Sequence, residues 1–175
     1  MGRSMAASCP KRRRLALSLV ELLVVLGILS ALIALGLAAV PVLRQSANRS
    51  RCAANLHQLG MAFQMYQLKN DGRFPDAARL PSVTPEQPSI AQALAKYTEG
   101  PDVFRCPCDT KYYPIEGVSY EYPGEFRSGV TLEQLRAQGR SSARIWLLHD
   151  FDPVHGRPFA RGSRNFLYAD GHVSP

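Results

Sequence analysis

Lys11, Arg12, Arg13 and Arg14 run directly into an apolar stretch, residues 15–43, whose one charged side chain is Glu21. No other segment restricts the fold as strongly. The 22 residues from 22 to 43 are uncharged, enough for the roughly 20 that cross a bilayer as a helix. A charged side chain at the centre of a membrane helix costs about 2.5–3.5 kcal/mol even on the lenient insertion scale, so Glu21 reads as functional and needs a partner. A secretory signal peptide has an apolar core of only about 7–15 residues, and a twin-arginine signal fails on the same count. A plain signal anchor, with Glu21 snorkelling to the interface, fits the composition equally well. In either case the basic run holds the amino terminus in the cytoplasm and places everything after Leu43 outside.

The order of residues is more specific than the composition. After the basic cluster come Ala16 and then Leu17, Ser18, Leu19, Val20, Glu21 and Leu22. This resembles the type IV prepilin signal, in which a membrane aspartyl peptidase cuts after a small residue and methylates the new amino terminus. The resemblance implies cleavage after Ala16, methylation of Leu17, and Glu21 as the fifth mature residue. Ala16 stands where Gly is usual, and Leu17 where Phe is usual. Cleavage creates an amine at the tip of an apolar helix, and an axial offset between neighbours lets that amine meet the next subunit's Glu21. Such pairing fixes register, and heterologous, non-closing contacts build filaments. Glu21 is thus an assembly residue in this reading, not a catalyst.

Loss of residues 1–16 also changes the charge balance. The full chain has 21 Lys and Arg against 14 Asp and Glu, a net charge of +7. Five of those cations (Arg3, Lys11, Arg12, Arg13 and Arg14) precede the cut, leaving sixteen. Overall charge therefore gives no argument for a nucleic-acid partner.

Beyond Pro41, which predicts a kink, the helical pattern continues. Cys52, Leu56, Leu59, Phe63 and Tyr66 recur at steps of three and four and form one apolar stripe. Asn70, Asp71 and Gly72, with Pro75 after them, end the helix. A coiled-coil partner or a sheet can cover such a stripe. Ser89 caps a short helix to Tyr97, and Thr131 with Gln134 makes a capping box for another that ends at Gly139. Strands are predicted over 118–122, 144–149 and 165–169, with Asp170-Gly171 as a two-residue hairpin turn and His172-Val173 starting the return strand. The expected fold class is α+β, with a long amino-terminal helix packed on a small antiparallel sheet. The expected organisation is a leader (1–16), a transmembrane helix (17–43), its amphipathic continuation (44–72) and a globular domain (73–175).

A second resemblance reaches the body of the chain. Cys52 to Gly60, Tyr66, Asp71-Gly72 through Pro75, Phe104 to Pro107, Ser119-Tyr120 and the terminal run from Phe166 to Val173 are similar to the type II secretion protein G-like pseudopilins. Members of that subgroup often end in a His, nine residues and Asp-Gly. Here Ala160 occupies the histidine position, and His155 is the nearest histidine before Asp170. The resemblance implies a pilin-like fold and a non-enzymatic subunit of a periplasmic filament. It also implies a single pass through the inner membrane, with the carboxyl-terminal domain periplasmic. The implied partners are prepilin peptidase, other pseudopilins and copies of itself, an inner-membrane assembly platform and membrane lipid. The alternative function is a minor type IV pilin for adhesion or DNA uptake, with Arg157, Arg161 and Arg164 as a phosphate-contacting patch.

Two side-chain groups are chemical candidates. Asp150, Asp152, His155 and Asp170 lie with His149 and His172 near the carboxyl terminus, where carboxylates and imidazoles can hold a divalent ion. Major pseudopilins can carry calcium in their globular domain; no other cofactor is implied. The competing reading is a hairpin turn and a polar surface loop, with no ligand spacing of a known motif. No Gly-x-Ser-x-Gly elbow occurs, Glu121 standing where the second Gly is needed. Of four cysteines, Cys9 lies in the leader. A Cys52–Cys106 bridge would tie the helix to the loop; free thiols and a half zinc site at Cys106-Pro107-Cys108 are the alternatives.

Overall fold

The computed structural model describes residues 18–156, 160 and 162–175. Its first element, α1 (Leu19–Lys69), is one α-helix of 51 residues that contains Pro41. The predicted kink does not interrupt it: proline removes one N–H, which orphans the carbonyl four residues earlier while the flanking bonds persist. The chain divides into two compact units, Met1–Pro41 and Val42–Pro175. In the first, every large apolar side chain of α1 from Leu19 to Val40 is exposed. By length and composition α1 can cross a membrane, and none of its apolar window is buried.

The second unit is α+β. Here α1 turns amphipathic: Cys52, Leu56, Leu59 and Phe63 are buried, with Ala62 beside them and Tyr66 at the margin. Gln67 O accepts from the Gly72 N–H at 2.9 Å, and Asp71 and Gly72 take positive φ to reverse the chain. The stripe predicted from sequence is therefore covered by this unit's own core, not by a coiled-coil partner. Phe63 anchors it, with its ring 6.3 Å from Phe74 and 5.8 Å from Tyr122.

After an irregular, Pro-rich segment, α2 (Ile90–Leu94) starts at a complete capping box between Ser89 and Gln92 and tightens into a 3-10 turn over Ala95–Tyr97. A 3-10 turn over Pro101–Phe104 follows, then α3 (Tyr113–Glu116). Asp109 organises the entry to α3 by accepting from the N–H groups of Lys111, Tyr112 and Tyr113, all at 2.9 Å. Next come β1 (Tyr120–Glu121), α4 (Gly124–Arg127) and α5 (Leu132–Arg136). At Gly124 any side chain would collide with the carbonyl of Ala77, so only glycine lets α4 approach that backbone. The α5 capping box forms as the sequence predicts, Thr131 Oγ1 accepting from Gln134 N and Gln134 Oε1 from Thr131 N.

The sheet is completed by β2 (Trp146–Asp150), β3 (Phe166–Tyr168) and β4 (Val173–Ser174). All neighbours are antiparallel, in the order β1-β2-β3-β4. A register shift between Trp146 and Leu148 marks an irregularity in β2, after which Leu148 pairs with Leu167. The hairpin between β3 and β4 is one residue longer than the predicted Asp170-Gly171 turn. Leu167 pairs with Val173, and Tyr168 N donates to His172 O, which leaves Ala169, Asp170 and Gly171 as a three-residue loop. Gly171, at φ 90°, supplies the left-handed position that such loops need. The segments 118–122, 144–149 and 165–169 thus form shorter strands than predicted, because Ser142–Arg144 winds into a 3-10 turn and Ser119 pairs outside the sheet with Phe104.

Candidate functional site

Two places hold the residues singled out by sequence. At the head of α1, Ala16 and Leu17 lie outside the described residues. Glu21 does not project unpartnered: its Oε2 accepts from the N–H of Ser18 at 2.9 Å, and Ser18 Oγ accepts from Val20 N at 3.4 Å. The first N–H groups of any helix lack intrahelical acceptors. A Glu three residues after Ser reaches back to supply one, as in half of a capping box. The Ser-x-x-Glu spacing of residues 18–21 was readable in the sequence, and the expectation that Glu21 needs a partner in another chain omitted it. The carboxylate still has acceptor sites for further donors.

The second place lies where α1, β2 and the loops after Phe104 and Asp150 meet. Cys52, from the buried stripe of α1, is bonded to Cys106, with Cα atoms 5.1 Å apart. Against this disulfide stands His155, whose Nε2 is 3.6 Å from Cys106 Sγ and 3.3 Å from Asp150 Oδ2. The side chains of His155 and Asp150 are 0% and 1% exposed, so the pair sits wholly inside the protein. The backbone locks both ends. Asp150 exchanges hydrogen bonds with Asn165, N to O at 3.1 Å and Oδ2 from Asn165 N at 2.7 Å, and His155 N donates to Ser163 O. His155 Nδ1 and Asp150 Oδ1 have no hydrogen-bond partner among the described residues.

Tyr120 and Cys108 border this cluster. Burial raises the Tyr120 phenol well above its ordinary value, with the Asp150 charge adding to the effect. Burial also raises the Cys108 thiol; a hydrogen bond with Asn48 opposes that rise and the Asp150 charge reinforces it. Cys108 carries no disulfide, and its raised value keeps it in the thiol form, a weak nucleophile toward the neighbouring bond.

The four predicted metal candidates are not gathered into one site. Asp150 and His155 meet. Asp152 instead pairs with Lys111 at 3.4 Å, and Asp170 accepts from His172 at 2.6 Å in the hairpin loop. A calcium ion takes six to eight oxygens, and these carboxylates do not converge to offer them. Among the described residues, the group of His, Cys, Asp and Glu ligand atoms lying within 4.8 Å of one another is Cys52, Cys106 and His155. Of the basic patch considered for phosphate, Arg157 and Arg161 lie outside the described residues.

No family model, curated protein or solved structure matches the chain. What the two places can do rests on their own chemistry. The head of α1 offers a carboxylate at the end of an exposed apolar helix. The interior offers two bonded sulfurs, an imidazole against them and a carboxylate on the imidazole. Sequence reasoning singled out Cys52, Cys106, Asp150 and His155 but in two separate groups. It did not foresee Asn165 or Ser163, whose backbones hold the second pair in place.

Proposed function

We propose that this chain is a pseudopilin: a subunit cut after Ala16, methylated on Leu17 and assembled through α1 into a periplasmic filament of a type II secretion-like machine. One observation carries the reading. Glu21 lies at the head of a helix that is otherwise uncharged to Leu43, follows a basic run and a small residue at the spacing of a prepilin signal, and continues without a break into an α+β unit. An ordinary anchor gains from Glu21 only the cap on Ser18, whereas a filament also uses it to fix the offset between neighbours.

Glu21 then has two successive partners. In the single chain it caps Ser18; in a filament the new amine of the adjacent Leu17 competes for the same carboxylate, with a full positive charge in place of an amide dipole. Both bonds are charge-assisted through the carboxylate, and the amine adds the attraction between two full opposite charges. The experiment separates processing from assembly. Co-expression of the Glu21→Val variant with a prepilin peptidase should give a shortened chain whose amino-terminal peptide carries methyl-Leu17 by mass spectrometry, yet no filaments. Ala16 replaced by a bulky residue should leave the chain uncut. Filaments from Glu21→Val, or a parent chain that the peptidase leaves intact, would overturn the proposal.

A further inference from the structure

The buried cluster asks for more than a disulfide. A bridge between Cys52 and Cys106 needs neither an imidazole nor a carboxylate near it, yet His155 is buried against it and paired through Nε2 with the buried Asp150. Burying an imidazole beside a carboxylate is costly, and such groups are kept inside proteins where they are paired or coordinate a metal.

The distances indicate which ligand. A tetrahedral zinc with Zn–S near 2.3 Å and Zn–N and Zn–O near 2.0 Å has S–N edges of about 3.5 Å and N–O edges of about 3.3 Å. Cys106 Sγ lies 3.6 Å from His155 Nε2, and Asp150 Oδ2 lies 3.3 Å from the same nitrogen. Two edges of a zinc tetrahedron are therefore in place. The bonded sulfurs must part to about 3.8 Å to serve as separate ligands, and Asp150, which lies outside the group of Cys52, Cys106 and His155 ligand atoms within 4.8 Å of one another, must close toward them. We infer that Cys52, Cys106, His155 and Asp150 form a buried site for a zinc-class divalent cation when the cysteines are reduced, the disulfide being the oxidised, metal-free form of the same pocket.

The interconversion balances. A dithiol reductant delivers two electrons and two protons to the S–S bond, giving two thiols, and is itself oxidised to a disulfide. Binding then releases both thiol protons to solvent. The cation sits among two thiolates, a neutral imidazole and a carboxylate, a donor set that favours zinc over the oxygen-seeking calcium and magnesium. In both forms α1 is tied to the loop after Phe104, by a covalent bond in one and by coordination in the other. The inference holds whether or not the chain assembles into filaments.

Cobalt tests it, because tetrahedral thiolate coordination gives Co2+ intense visible and charge-transfer bands. The full chain, purified in detergent, is reduced anaerobically with a phosphine and titrated with Co2+ and then Zn2+. The expected result is one equivalent of Co2+ with thiolate bands, displaced by Zn2+, and no bands from the oxidised chain. Asp150→Asn and His155→Gln should each weaken Co2+ binding by about tenfold or more, while Cys108→Ser should bind as the parent does. Absence of the bands in the reduced chain overturns the inference. So do bands that are unchanged in both the Asp150→Asn and His155→Gln variants, or lost in Cys108→Ser. If reduction alone unfolds the chain, recovery of its near-ultraviolet circular dichroism on adding Zn2+ supports the site, and failure to recover overturns it.

Discussion

Asp170 shows how a residue can be placed by sequence and still be misread in role. Asp-Gly before a strand announces a hairpin, and the pair does sit in one. The carboxylate, though, is engaged by its own loop: Asp170 Oδ1 accepts from the backbone N–H of His172 and meets its Nδ1, and the His172 ring stacks on Tyr168 at 4.3 Å between centroids. Desolvation pushes Asp170 upward, but the hydrogen bonds from His172 outweigh it and hold the carboxyl below the ordinary 3.8. A folded-state value below the unfolded one contributes stability that is present above the unfolded value and is lost as pH falls through the folded one. The unfolding midpoint of Asp170→Asn should therefore lie below the parent's near neutral pH and approach it in acid below 3.8. Thermal unfolding at a series of pH values checks this, and a gap that widens in acid would count against it. The Ser18–Glu21 contact was equally local and equally legible, since it depends on residues three apart. Asp150 with His155 was not: their meeting depends on how the chain returns after β2, and no spacing encodes that.

At the scale of elements, the apolar period of α1 was the strongest signal, and the structure buries the predicted face. Contrasting substitutions on this one helix measure how much. Leu59→Ala, at a site with 0% exposure, should destabilise the second unit by about 2–5 kcal/mol through lost burial and a cavity. Leu68→Ala, at 84% exposure on the same helix, should stay within about 0.5 kcal/mol. Chemical unfolding followed by the fluorescence of Trp146 compares the two, and equal effects would mean the stripe is not the packing face. The capped helices α2 and α5 were legible because a capping box is a four-residue pattern. The turns of α3 and α4 were not, because four residues are too few to show a period. Backbone contacts position them instead, Asp109 accepting three N–H groups before α3 and Gly124 lying against Ala77 at α4.

For the molecule as a whole, the disulfide joins parts of the chain that are 54 residues apart. On the chain-entropy model, closing such a loop contributes about 4 kcal/mol by restricting the unfolded state. The Cys52→Ala, Cys106→Ala double variant should therefore keep the fold but unfold at lower denaturant, with a loss of that order in detergent-solubilised full chain. An unchanged midpoint would place the stabilisation of this region in its apolar packing alone. Among its described residues the amino-terminal unit has no such internal tie; its exposed apolar surface is suited to lipid or to neighbouring helices.

What the sequence determined by itself was whatever depends on near neighbours along the chain. That covers the length and apolar character of α1, the face it buries, the caps at Ser89 and Thr131, and the carboxylate at the head of the helix. Period and spacing act within a turn or two, so they survive without knowledge of the fold. Only the tertiary structure decided which distant groups share the interior. Residues 52, 106 and the pair 150 and 155 come from three separate stretches, brought together by the docking of α1 on the sheet and the return of the loop after β2. Burial then changes their chemistry, because the same sulfurs, imidazole and carboxylate in water would be independent solvated groups, whereas inside the protein they face one another and the backbone that holds them.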